Sequence, residues 1–216
     1  MRQLDVESLK REARDFALRE SPHKEPTLFG VTDGKAVGTY LEQKFQESLK
    51  ERYSYAQGNS ASGIDFPELE VDIKVTSVKQ PQSSCPFKSA RQKIYGLGYS
   101  LLVFVYEKAD DPATRTGQLL IRHTIFVSRE LTADFQTTSG LRQLLANEAN
   151  KDDIVGFMRD RLLPVDDIQA DALADEILKT PPEIGFLTIS NALQWRLQYT
   201  RVIEKAGNVP GLYRIV

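Results

Sequence analysis

Residues 100–107, Ser-Leu-Leu-Val-Phe-Val-Tyr-Glu, form an apolar run with no polar side between Leu101 and Tyr106. The run is strand-length, and a strand without a polar face must be covered on both sides. That one requirement calls for a central sheet with layers on each face, the arrangement of an α/β domain. A second strand follows at 118–127 (Gln-Leu-Leu-Ile-Arg-His-Thr-Ile-Phe-Val), after the turn segment Asp-Asp-Pro-Ala-Thr-Arg-Thr-Gly. No apolar stretch approaches the ~18–20 residues that cross a bilayer.

Helical spacing supplies the layers. Residues 3–20 carry Leu4, Leu9, Phe16 and Leu18 among many charges. Asp33 is placed to cap a helix over about 35–52, where Val37, Leu41, Phe45 and Leu49 recur every fourth residue. Glu42 flanks that stripe, and Gly38, one turn before it, is expected to let another backbone come close. A helix at about 86–97 has Phe87, Ala90, Ile94 and Leu97 on its core side. Helices follow at 139–149, 152–162 and 166–179, then a strand or loop and a last helix up to about residue 205. The order predicts one α/β domain over residues 1–216, a central mixed sheet flanked by helices. The 216 residues, 41% hydrophobic and 27% charged, suffice for one sizeable core.

The only cysteine is Cys85, so no disulfide forms within the chain, and the charged N-terminus has no signal-like apolar stretch. Both predict a reducing, cytoplasmic setting without membrane association. The formal net charge of −2 argues mildly against a polyanion partner. Its distribution argues the other way. Between Asp72 and Glu107 there is no acidic residue, while Lys74, Lys79, Lys88, Arg91 and Lys93 fall in that interval.

The chemistry-bearing stretch is Gly63–Ser77, GIDFPELEVDIKVTS. Its second half alternates apolar and charged residues, a strand with one face in the core. Glu70, Asp72 and Lys74 are then expected in one row, with Asp65 folded back beside them by a turn at Pro67-Glu68. Asp72 and Lys74 lie about 7 Å apart along such a strand. Two carboxylates at one spot repel, and a hard divalent cation with oxygen ligands relieves them; the Ile73 carbonyl would add a ligand. The plainer reading is a solvent-facing ion pair on an edge strand, and these residues alone leave both open. Glu42 reaches the same place if its helix packs on the strand; otherwise it is a flank glutamate. One Cys and two widely spaced His give no zinc spacing. Nothing near Cys85 activates it as a nucleophile, no phosphate-cradling loop is present, and Trp195 reads as core.

Asp65, Asp72-Ile73-Lys74 and the upstream Glu42 resemble the PD-(D/E)XK nuclease superfamily, and more closely its branch of type II restriction endonucleases related to the MutH repair enzyme. That branch has Asp-Phe followed by apolar-Glu-apolar-Lys-Thr, and DFPELEVDIKVTS keeps the spacing with Asp72 in the Glu position. Gly38–Glu42 is similar to its Gly-x-x-Leu-Glu helix, and Ser89–Lys93 to its Ser-x-x-Arg-x-Lys helix. Gly185-Phe186 is a fainter echo of a DNA-recognition segment. The resemblance implies a restriction-endonuclease-like core over about 35–127 and a helical, DNA-recognising part over about 128–216. It implies Asp65, Asp72, Lys74 and Glu42 as catalytic residues. Asp65, Asp72, the Ile73 carbonyl and Glu42 would hold one or two Mg²⁺ ions, and Lys88, Arg91 and Lys93 would touch DNA. The expected function is Mg²⁺-dependent, sequence-specific hydrolysis of double-stranded DNA by a type II restriction enzyme; the short chain and double-strand cleavage favour a homodimer, with a monomer cutting sequentially as the alternative. A MutH-like repair nickase and a non-catalytic DNA-binding protein of the same fold are the alternatives.

Overall fold

The apolar run at 100–107 lies inside a longer strand in the middle of the main sheet. The computed structural model describes residues 1–58, 63–84, 89–190 and 195–216. In chain order its elements are β1 (Arg2–Gln3), α1 (Val6–Glu20), β2 (Lys24–Glu25), α2 (Gly34–Lys50), β3 (Tyr53–Ser54), β4 (Val71–Ser77), β5 (Gln82–Ser84), α3 (Ala90–Tyr95), β6 (Ser100–Asp111), β7 (Thr116–Val127), α4 (Phe135–Ala146), α5 (Lys151–Asp160), α6 (Asp167–Lys179), β8 (Thr188–Ile189), β9 (Arg196–Gln198), α7 (Thr200–Lys205) and β10 (Leu212–Arg214).

The main sheet runs β10-β7-β6-β4, with β2 also paired to β7. β4 is parallel to β6, and the other pairings are antiparallel, so the sheet is mixed. Leu101 to Val105 are fully buried. Alternation sends Leu102 and Phe104 toward α1 and α2, where the Phe16, Phe45 and Phe104 rings meet at 5.1–5.9 Å. Leu101, Val103 and Val105 face the other way, onto Leu187, Ile189, Leu197 and Tyr199. This second face is covered by a small sheet, β5-β9-β8, together with α7, and not by helices alone. The two- and three-residue strands that build that sheet are too short to show a period in sequence. A third cluster joins α3, through Ala90 and Ile94, to α4, α5 and α6. No described helix is long and apolar enough to cross a membrane.

Local signals explain most boundaries. Asp33 caps α2 by accepting from the amides of Lys35 and Ala36, and Val37, Leu41, Phe45 and Leu49 are buried beneath it. α4 starts earlier than the spacing predicts because Asp134 caps it, accepting from Thr137 N. α3 is shorter than expected within the described residues: Ser89 caps it and Gly96, at φ 88°, ends it. Phe87, Lys88 and Cys85 lie outside the described residues. The close backbone approach expected at Gly38 is not found. An added Cβ there would lie 3.8 Å from the Val75 side chain, an ordinary contact.

Candidate active site

β4 is the edge strand, so one side of its backbone is open. The 3₁₀ turn Pro67–Leu69 reverses the chain just before it, and Phe66 and Val71 exchange backbone hydrogen bonds of 2.9 and 3.2 Å. This small reversal sets Asp65 against the open edge. The Ile73 amide donates to Asp65 Oδ2 at 2.7 Å. In an extended strand one residue's N–H and C=O point to the same edge, so the Ile73 carbonyl also faces Asp65. The Ile73 side chain goes to the core.

Asp72 and Lys74 alternate with Ile73 and face the side of the sheet that carries β5 and β9. Asp72 is 4% exposed. Lys74 Nζ stands 2.5 Å from Asp72 Oδ2. The ammonium is therefore the close partner of this buried carboxylate oxygen. Burial pushes the Asp72 carboxyl up to about 7; Lys74 opposes this, while Asp65 reinforces it. Asp65 is raised mainly by burial, against the hydrogen bonds it makes with Asp72 and the Ile73 amide. Both carboxyls are thus held above the ordinary carboxylate range. Glu42 arrives from α2, and burial raises it too, partly offset by a hydrogen bond with Asp65 and by Lys74.

Glu42, Asp65, Asp72, Lys74 and the Ile73 carbonyl are therefore gathered at one place, where the sequence reading put them. Glu70 is not with them. The strand begins at Val71; Glu70 sits in the left-handed region at φ 51°, exposed, and pairs with Arg129 at 2.8 Å. Its expected place in the charged row is corrected for that reason. Arg91 is exposed and bound through two hydrogen bonds, 2.7 and 3.2 Å, to Glu176 of α6. Lys93 is 3% exposed, with its ammonium 5.4 Å from the centre of the Trp195 ring. Lys88 lies outside the described residues. Gly185 has a structural reason of its own: a Cβ there would come within 2.1 Å of the Ala133 carbonyl.

Gln46 was missed. It lies one turn after Glu42 on the same side of α2, and its Nε2 donates to Asp65 Oδ1 at 3.2 Å. The i, i+4 spacing from Glu42 was the available signal.

Among the described residues no three His, Cys, Asp or Glu side chains converge in metal-holding geometry. Asp65, Asp72 and the backbone of Ile73 do lie together, with Asp72 almost wholly buried. An oxygen-only donor set of this kind suits a hard cation that keeps several waters.

The family model described as type II restriction enzyme NspV matches residues 3–214. A relative from Nostoc sp., named type II restriction enzyme NspV, is 66% identical over 212 residues, covering 98% of this chain and 96% of that protein. No solved structure matches. With a match of this extent, the chain belongs to the NspV family of type II restriction enzymes.

Proposed function

We propose that the open edge of β4 is the catalytic centre of a Mg²⁺-dependent endonuclease that cuts double-stranded DNA at a specific sequence. The observation that carries this is the meeting of Asp65, held by the Ile73 amide, with the buried Asp72 and with Lys74 beside an open strand edge. Two carboxyls brought together in this way are relieved by a divalent cation. Asp65, Asp72 and the Ile73 carbonyl would hold the ion, with Glu42 as an auxiliary acid acting on it or on its water shell. Bound there, a divalent ion supplies Lewis-acid polarisation of the phosphodiester and eases deprotonation of a water. With an ion held by Asp65 and Asp72, Lys74 would be freed from its close pairing with Asp72. Its ammonium would orient the attacking water and offset the charge that develops on the phosphate.

Residues of about 35–127 would carry this chemistry and those of about 128–216 would read bases. Lys88, Arg91 and Lys93 are assigned to the DNA backbone. For that, Arg91 would exchange Glu176 for a phosphate, and Lys93 would have to emerge from beside Trp195. Cutting both strands with one site per chain favours a homodimer.

The test is digestion of a long plasmid with Mg²⁺, followed by sequencing of the ends. Cleavage at one repeated sequence is expected. Asp72→Ala should bind DNA and not cut it. Binding without cleavage by the unaltered protein, or normal cleavage by the variant, would overturn the reading.

A further inference from the structure

Asp65 is held from two elements. The Ile73 amide fixes Oδ2, and the Gln46 amide group fixes Oδ1. Gln46 is itself tied down: the Tyr55 hydroxyl donates to its backbone carbonyl at 3.0 Å. The Tyr55 ring lies 5.3 Å from the ring of Phe66, the neighbour of Asp65. Phe66 is fully buried and bridged to Val71 of β4. The contacts close a ring from helix α2, through the Gln46 side chain, to Asp65, Phe66, Tyr55 and back to the α2 backbone. The backbone of Asp65 is also held, because its carbonyl accepts from Gly58 N at 2.9 Å. What stays free in Asp65 is rotation of its carboxyl plane, and from outside β4 the Gln46 donor restricts it together with Glu42.

The residue type matters as much as the position. Gln46 gives a donor without charge. A lysine there would compete with a cation for Asp65, and a glutamate would add a further acid to Glu42, Asp65 and Asp72.

We propose that Gln46 is a positioning residue that sets the Asp65 carboxylate for cation binding. This rests on the catalytic reading above. A group that orients a metal ligand contributes about 10–100-fold in metal affinity.

The experiment is titration with Mn²⁺, followed by electron paramagnetic resonance of the free ion, for the unaltered protein, Gln46→Met and Asp65→Asn. Gln46→Met keeps the length and removes the donor. Its Mn²⁺ dissociation constant is expected to rise about 10-fold or more. Its melting temperature and metal-free DNA binding should stay within error of the unaltered protein, which separates positioning from a structural role. Gln46→Asn withdraws the amide by one methylene and carries the same test should Gln46→Met not fold. An unchanged constant in the folded Gln46 variant, with weakened binding in Asp65→Asn, overturns this proposal alone. An unchanged constant in Asp65→Asn overturns the catalytic reading beneath it.

Discussion

Asp72 bears the largest pKa shift at the site, from the ordinary carboxylate range to about 7. Burial is the main cause, and the sign of its effect on stability follows from linkage. The folded chain binds this proton more tightly than the unfolded chain does. The stability it contributes is full below about pH 4 and is lost as pH rises through 7. Asp72→Asn is neutral at every pH and escapes the loss. In EDTA the two proteins should melt alike at about pH 4 and below. At pH 8 the variant should be the more stable by about 1–3 kcal/mol, roughly 3–10 °C in Tm. A gap that fails to open with pH would show that Asp72 ionises freely in the fold. On the proposed role of Asp72 as a metal ligand, added Mg²⁺ should close the gap by stabilising the unaltered protein. Much of this site was readable in advance, because the DFPELEVDIKVTS spacing places Asp65, Asp72 and Lys74 by strand period and one turn. Glu70 was misplaced because alternation was carried one residue too far, into a left-handed turn that period alone does not reveal. Gln46 was overlooked because an amide beside an apolar stripe looks like any helix flank.

At the level of elements, long periodic segments were legible and short ones were not. α2 and the β6–β7 pair follow directly from their apolar spacing, and each has a buried stripe to match. β5, β8 and β9 have no such signal; the pairing of Gln82–Ser84 with Arg196–Gln198 spans more than a hundred residues of chain. Two glycines show how packing separates positions that look similar in sequence. Gly185 lies against the Ala133 backbone, and its amide donates to Thr138 Oγ1 at 3.0 Å, so neither chain can yield. Gly185→Ala should cost more than about 2 kcal/mol, and Tm should fall by more than about 4 °C. Gly38 lies inside a helix with room for a methyl group. Gly38→Ala should be neutral or stabilising by up to about 1 kcal/mol, from the lower entropy cost of alanine. Differential scanning calorimetry of both variants checks the pair. Equal losses at the two positions would mean that α2 approaches β4 more tightly than the 3.8 Å contact implies.

For the whole molecule, the question is how a chain of net charge −2 holds a polyanion. The acid-free stretch between Asp72 and Glu107 is the natural contact, but its cations are not equivalent in the fold. Lys74 belongs to the site, Arg91 is bound to Glu176 and Lys93 is buried. Lys79 differs. It is exposed in the turn that follows β4, and it makes no ion pair among the described residues. A phosphate contact by Lys79 needs no rearrangement and would lie one turn of chain from the proposed catalytic edge. Each phosphate contact of a duplex-binding protein adds about 0.9 to the slope of log affinity against log salt. Lys79→Ala should therefore weaken metal-free DNA binding and lower that slope by about one. The loss should be the same on cognate and unrelated duplexes, because a phosphate contact carries no sequence information. Fluorescence anisotropy from about 50 to 200 mM salt measures both quantities. A slope unchanged by Lys79→Ala would move the DNA path away from the β4–β5 turn. The phosphate contacts would then have to come from Arg91 and Lys93 after they leave Glu176 and Trp195. Binding should in that case become faster on removal of the Glu176 carboxylate, an outcome that the same instrument reads with Glu176→Gln.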